Sequence, residues 1–276
     1  MTDAQCVEFL QWALPRLHMR WSGFRKVRSQ VCKRLASRLQ VLGLVDTGAY
    51  RNYLSNHAEE WRVLDSLCRV TISRFYREKA VFQFIEQQVL PVLIQQANDS
   101  DVKKIRILCL GSASGEEPYT LAILWRLQFQ ARYPDIALDI TATDSDPVLI
   151  ERAQQALYPY SSIKNLPQTW RQAAFDRANE MFRLRPEYHQ PVKFVQQDIR
   201  QRVPDELFDM VLCRNLVFTY FDDSLQLRIL DRISHVLRAE GILVLGIHET
   251  LPELQTTFST WSEKLRVFIK NLETSG

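Results

Sequence analysis

Apolar positions recur every three or four residues over the first quarter of the chain and then give way to short continuous runs. Phe9, Leu10, Ala13, Leu14 and Leu17 form one helical stripe, and Val27, Val31, Leu35 and Leu39 form a second that ends near Gly43. Tyr50, Tyr53 and Leu54, then Trp61, Leu64 and Leu67, predict two shorter helices. Residues 71–77 interrupt the period with β-branched and aromatic side chains. Phe82, Phe84, Ile85, Val89, Leu90 and Leu93 then resume a helix that Pro91 should kink or end. The pattern predicts a small all-α domain over residues 1–68 and a second domain over residues 69–276.

In the second domain, runs and stripes alternate. Ile105, Ile107, Leu108, Cys109 and Leu110, closed by Gly111, read as a strand covered on both faces. Pro118 opens a helix continued by Leu121, Ile123, Leu124 and Leu127. Strands are predicted at residues 136–143, 192–195, 208–213 and 242–247, and helices at residues 148–156 and 224–237, the latter closed by Gly241. A final strand at residues 265–269 supplies an antiparallel edge. Residues 158–191 have no clean period and read as an inserted subdomain, with a helix around residues 169–174 and a strand at residues 181–184. Such alternation predicts an α/β fold with a doubly wound, mostly parallel sheet.

A glycine loop between strand and helix brings backbone N–H groups and a helix N-terminus to a ligand. Here Glu116 and Glu117 follow Gly115 where a phosphate cradle needs Gly-Lys-Ser/Thr, and carboxylates repel phosphate. The dinucleotide fingerprint is also missing, because the loop has only Gly111 and Gly115, and Asp144 lies past the expected spacing. A ligand with an adenosine ribose, a cationic centre and no phosphate suits these acids. S-adenosylmethionine has those features.

Composition narrows the setting. With 276 residues, 46% of them hydrophobic, the chain can bury a large core. Five scattered cysteines without a Cys-x-x-Cys pair support neither a disulfide framework nor a zinc site, so a reducing cytoplasm and no metal are expected. The N-terminus lacks a signal pattern and no apolar run reaches membrane-spanning length, so no direct membrane insertion is expected. The net charge of +3 conceals an asymmetry: Arg16, Arg20, Arg25, Lys26, Arg28, Lys33, Arg34 and Arg38 fall in a stretch from Glu8 to Asp46 that has no acid between its ends. This fits either an acidic partner or a solvated helix face. The run lacks interleaved aromatics, and no nucleic-acid partner is expected.

The candidate site residues follow predicted strand ends. Asp144 suits ribose hydroxyls, whereas Asp146 better suits a helix cap. Glu117 suits an ammonium or sulfonium, and Glu116 suits the helix dipole. Asp198 suits an adenine edge or a surface turn. Arg77 and Arg214 follow apolar stretches and need anionic partners, either a substrate carboxylate or a structural acid such as Asp144 or Asp222. Asn215 either bonds the ligand or caps its loop; Tyr220 and Phe221 wall the site or join the core. His248 and Glu249 read as a structural pair rather than an acid-base pair, since no nucleophile accompanies them.

Taken together, Ser73-Arg-Phe-Tyr-Arg77, Gly111-Ser-Ala-Ser-Gly-Glu-Glu-Pro-Tyr-Thr120, Ala142-Thr-Asp-Ser-Asp146, Cys213-Arg-Asn215 and Tyr220-Phe-Asp222 resemble the chemotaxis-receptor glutamate methyltransferases, the CheR family. The resemblance spans nearly the whole chain. It implies a Rossmann-like methyltransferase sheet that binds S-adenosylmethionine, preceded by a helical domain that docks on an acidic receptor helix, with an inserted β-subdomain matching residues 158–191. It implies cofactor contacts from Thr71, Ser73, Arg77, Glu117, Asp144, Asp198, Ile199, Arg214 and Asn215, and catalytic roles for Arg77 and Tyr220. Two features depart from the family pattern. Leu216-Val-Phe-Thr219 puts four residues, not three, between Asn215 and Tyr220, so Thr219 stands at the usual tyrosine spacing. The insertion also lacks the glycine-rich turn of members that grip a receptor's C-terminal peptide. Three functions therefore fit the sequence: methyl esterification of receptor glutamates, methylation of another protein or a small carboxylic acid, and a cofactor-binding signalling module without catalysis.

Overall fold

The computed structural model describes residues 1–253 and 255–272, and the chain forms two compact units: Met1–Ile72 with Thr219–Gln226, and Ser73–Phe218 with the described residues from Leu227 onward. In the first unit the stripes become helices at Asp3–Ala13, Arg28–Val41, Thr47–Asn56 and Glu60–Cys68, whose buried residues include Phe9, Leu10, Val31, Leu35, Tyr50 and Leu64. Thr2 opens the first helix with a reciprocal capping pair to Gln5, and Asp46 caps the third by accepting from the Ala49 N–H. One expectation is corrected here. Cys6 and Cys32 form a disulfide between the first two of these helices, with Cα atoms 5.9 Å apart. Their separation of 26 residues matches no recognisable spacing, and only the packing of Asp3–Ala13 on Arg28–Val41 brings them together.

The second unit is built on a seven-stranded sheet. Its strands are β1 (Lys104–Leu110), β2 (Ala137–Asp144), β6 (Val192–Gln196), β7 (Phe208–Cys213), β8 (Leu237–Leu245), β9 (Phe258–Ser262) and β10 (Val267–Lys270), and β3 (Leu157–Pro159), β4 (Phe175–Ala178) and β5 (Met181–Leu184) form a separate three-stranded sheet in the insertion. The large sheet runs β6-β2-β1-β7-β8-β10-β9, parallel from β6 to β8 and antiparallel at β10 and β9. Strand order reverses at β1, which pairs with β2 on one side and β7 on the other, and a doubly wound sheet opens its ligand crevice at such a point. Ile107, Leu108, Cys109, Met210, Val211 and Leu212 are buried, as expected where helices cover both faces.

Local differences have local causes. The helix through Pro91 is continuous, but Ile85–Val89 is a π-turn in which Leu90 N–H donates to Ile85 O, and Pro91 falls in the first turn of Leu90–Asn98, where its missing donor is not needed. The helix expected to close at Gly241 ends at Val236, and Gly241 lies inside β8. Strands β3, β4 and β9 have too few alternating apolar positions to be read in advance. No helix among the described residues is long and apolar enough to cross a membrane.

Candidate functional site

After β1 the chain turns through Gly111 (φ 70°), Ala113 (φ 50°) and Gly115 (φ 88°) into the helix Glu116–Gln128. Left-handed φ values favour glycine, and space demands it too: a Cβ on Gly111 would overlap a methyl of Leu216, and one on Gly115 would meet Phe194, Ala153 and Tyr119 at 3.0–3.1 Å. Asp144, at the end of β2, holds the loop. Its carboxylate accepts from Ala113 N–H at 2.9 Å and from Asp146 N–H at 3.0 Å. Asp146 takes the capping role, accepting from Val148 N–H at 2.9 Å at the start of helix Pro147–Gln155.

The segment that begins at Ser73 is anchored to the same helix. The Ser73 side chain hydrogen-bonds the Glu116 carboxyl, Phe75 packs edge-on against Tyr158 and Phe175, and Tyr76 N–H donates to Thr120 Oγ1 at 3.1 Å. Glu116 is therefore buried against this segment and is more than a dipole-complementing surface acid. With these anchors in place, Tyr76 and Glu78 adopt left-handed φ values of 57° and 61°, which residues with a Cβ take up only at an energetic cost.

That turn delivers Glu78 to Arg214, which follows β7. The buried guanidinium donates to Glu78 at 2.9 Å, to Glu117 at 2.7 Å and to the Arg77 carbonyl at 2.8 Å, and it lies 5.1 Å from the Phe82 ring centroid. The structural acids are thus Glu78 and Glu117, in place of the Asp144 or Asp222 considered from sequence. Asn215 Nδ2 also donates to Glu78, at 3.2 Å. Glu249 is buried and accepts from the N–H groups of Asn215, Leu216 and Gly246 at 2.7, 3.0 and 2.8 Å, whereas His248 is exposed. Glu249 therefore braces the loop after β7, in keeping with a structural role.

Two carboxylates set the electrostatics of this rim. Burial raises the Glu117 carboxyl above its ordinary value, outweighing the lowering by Arg214. Burial acts on Glu78 as well, but the charge and hydrogen bonds of Arg214 hold it below the ordinary value. Two carboxylates thus face one buried guanidinium, and the charge of the half-buried Arg77 also acts on Glu117. Among the described residues, the buried side-chain atoms without a hydrogen-bond partner are Ser112 Oγ, Glu116 Oε2 and Arg214 Nε, at or beside the glycine loop, and Arg51 Nε and Arg266 Nε elsewhere. Buried polar atoms are normally paired, so the three near the loop leave hydrogen-bonding capacity for a polar ligand. The residues therefore fit a donor carrying an ammonium, a ribose and a sulfonium.

The structure distributes the remaining candidates unevenly. Ser73, Arg77, Glu117, Asp144, Asp198, Ile199, Arg214 and Asn215 all belong to the second unit. Arg77 is half-buried, and its charge acts on Glu117. Asp198 lies two residues past β6 and pairs with Arg200 through bonds of 2.7–3.1 Å, while Ile199 is buried. Thr71 and Tyr220 belong to the first unit. Thr71 is exposed; the Tyr220 ring meets Phe24 edge-on at 5.1 Å, and its carbonyl accepts from Arg20 N–H at 2.8 Å. Sequence reasoning missed Glu78 and Arg200. Glu78 was within reach, since it follows Arg77 directly and Arg214 required an acid.

Comparison with known proteins shows the family. The family model described as CheR methyltransferase, SAM binding domain, matches residues 71–267. An uncharacterised 104.1 kDa protein of Rhodobacter capsulatus is 30% identical over 240 residues, covering 86% of this chain but only 25% of its own length. The chemotaxis protein methyltransferase of Salmonella typhimurium is 30% identical over 241 residues, covering 84% of this chain and 79% of the relative, and that of Listeria innocua is 27% identical over 223 residues, covering 81% and 82%. A mostly parallel sheet with its acids gathered past the strand ends, and a family match that runs across all of them, lead to one conclusion: the chain belongs to the CheR methyltransferase family, with a Rossmann-like fold and S-adenosylmethionine as its cofactor.

Proposed function

We propose that this protein transfers a methyl group from S-adenosylmethionine to glutamate side chains of chemotaxis-type receptor proteins, forming methyl esters. The observation that carries the reading is the Glu78–Arg214–Glu117 cluster, two carboxylates on one buried guanidinium at the carboxyl edge of the sheet. The relatives named as chemotaxis protein methyltransferases support the choice of acceptor. When bound, S-adenosylmethionine supplies a methyl group on a positively charged sulfur.

In this reading Glu117 accepts from the ammonium group, Asp144 from the ribose hydroxyls, and Asp198 with Ile199 borders the adenine. Thr71, Ser73, Arg214 and Asn215 complete the donor site. Arg77 orients a carboxylate, that of the donor or of the acceptor, and Tyr220 or Thr219 lines the methyl path. A glutamate with a pKa of about 4.3 is already ionised at neutral pH. The protein's work is then alignment and exclusion of water, with no strong general base required. The basic helical unit docks an acidic receptor helix, and the protein acts in the cytoplasm.

The extra residue before Tyr220 favours a second reading, in which the acceptor is another protein or a small carboxylic acid. Incubation with methyl-labelled donor separates these possibilities. Alkali-labile methanol released from a receptor fragment supports the first, and methanol released only with other carboxylates supports the second. Donor binding without transfer to any acceptor leaves a non-catalytic signalling module.

A further inference from the structure

Arg214 faces two carboxylates, and one would compensate its charge. Glu117 binds Nη1 at 2.7 Å and Glu78 binds Nη2 at 2.9 Å. The guanidinium is 3% exposed, so water screens these pairs only weakly. The two acids differ in what else they hold. Glu78 also accepts from Asn215 Nδ2 at 3.2 Å and from Ile247 N–H at 3.3 Å, joining its own turn to the residues that follow β7 and β8. Its left-handed φ of 61° is unfavourable for a residue with a Cβ, and the side chain's bonds favour that turn.

We propose that Glu78 is a positioning residue of the donor site: it fixes Arg214 and Asn215 and compensates the guanidinium, leaving Glu117 available to the donor's ammonium group. The inference rests on the reading of Glu117 given under Proposed function. Without the charge on Glu78, Arg214 has Glu117 as its remaining carboxylate and holds it more tightly. The ammonium must then compete with a guanidinium for one acid. The cluster also loses one of its two negative charges.

Calorimetric titration with two ligands tests this. S-adenosylhomocysteine and 5′-methylthioadenosine share the adenosyl thioether, but only the first carries the ammonium and carboxylate. Glu78→Gln should weaken S-adenosylhomocysteine by roughly tenfold to a hundredfold and 5′-methylthioadenosine by less than about threefold, the scale of one charge-assisted hydrogen bond. The substitution makes the site more positive, which favours a ligand carboxylate, so a fall in the ratio reports the ammonium. Glu78→Asp keeps the charge on a shorter arm and should fall between parent and Glu78→Gln. In a Glu117→Gln background, Glu78→Gln should no longer change the ratio. Equal losses for both ligands, or no loss for either, overturn the proposal. Should Glu78→Gln fail to fold, the selective loss in Glu78→Asp carries the test by itself. A parent protein that binds neither ligand overturns the donor-site reading as well.

Discussion

Protonation of Glu117 couples pH to donor binding. Burial raises its carboxyl, with Arg214 and Arg77 lowering it and Glu78 raising it further. The ammonium group of the donor or of S-adenosylhomocysteine favours the ionised form, so binding releases a proton wherever the unbound carboxyl is still protonated. Affinity for S-adenosylhomocysteine should therefore rise with pH from the ordinary carboxylate range, about 4.3, through the raised value, and then level off. Without ligand the sign reverses. The folded chain holds this proton more tightly than the unfolded one, so Glu117's contribution to stability falls as pH rises through the same window. Calorimetry in buffers of different ionisation enthalpy measures the proton release, and Glu117→Gln should remove it; proton uptake would contradict the assignment. Arg77→Ala should lower kcat by about a hundredfold, the effect expected when a reacting group is misplaced by about 1 Å, while leaving the unfolding midpoint nearly unchanged. Full transfer activity in that variant would refute a role for Arg77. The individual acids were legible because each stands just past an apolar run. The pairing of Arg214 with Glu78 took the fold to decide, because the two lie 136 residues apart, although Arg77 beside Glu78 was a hint.

At the scale of elements, the glycine loop depends on the loop after β7. Leu216 lies where a side chain on Gly111 would be, and Glu249 braces the Leu216 backbone. Gly111→Ala should cost about 1–3 kcal/mol, from left-handed strain and overlap with the Leu216 methyl. Removing that methyl in Gly111→Ala/Leu216→Ala should recover part of the overlap cost, so the two substitutions should be non-additive in denaturant unfolding. Strict additivity would mean that the two loops do not press on each other. The strand, loop and helix around Gly111 could be read in advance because each is encoded by neighbouring residues. The π-turn before Pro91 could not, since the preceding residues follow an ordinary helical period and only the proline hints at a disturbance.

For the whole molecule, the basic character of the first unit is partly consumed internally. Arg28 pairs with Asp3 and Arg38 with Glu60, whereas Arg25, Lys26 and Lys33 are exposed. If this unit docks an acidic helix, replacing the three exposed residues by Glu should raise KM for a receptor fragment by roughly tenfold at low salt and leave kcat within about twofold, since rim charges act on encounter. Steady-state methylation at two ionic strengths checks this, and an unchanged KM would assign the charge to solvation. The amino-acid order alone determined most of the succession of helices and strands, the glycine loop and the acids past the strand ends, because each is written in residues close enough to form a period or a turn. Only the tertiary structure decided the sheet order, the Cys6–Cys32 bond and the choice of Glu78 and Glu117 as partners of Arg214. Those depend on which distant segments the packed core brings into contact, and a buried charge takes whichever opposite charge the fold delivers to it.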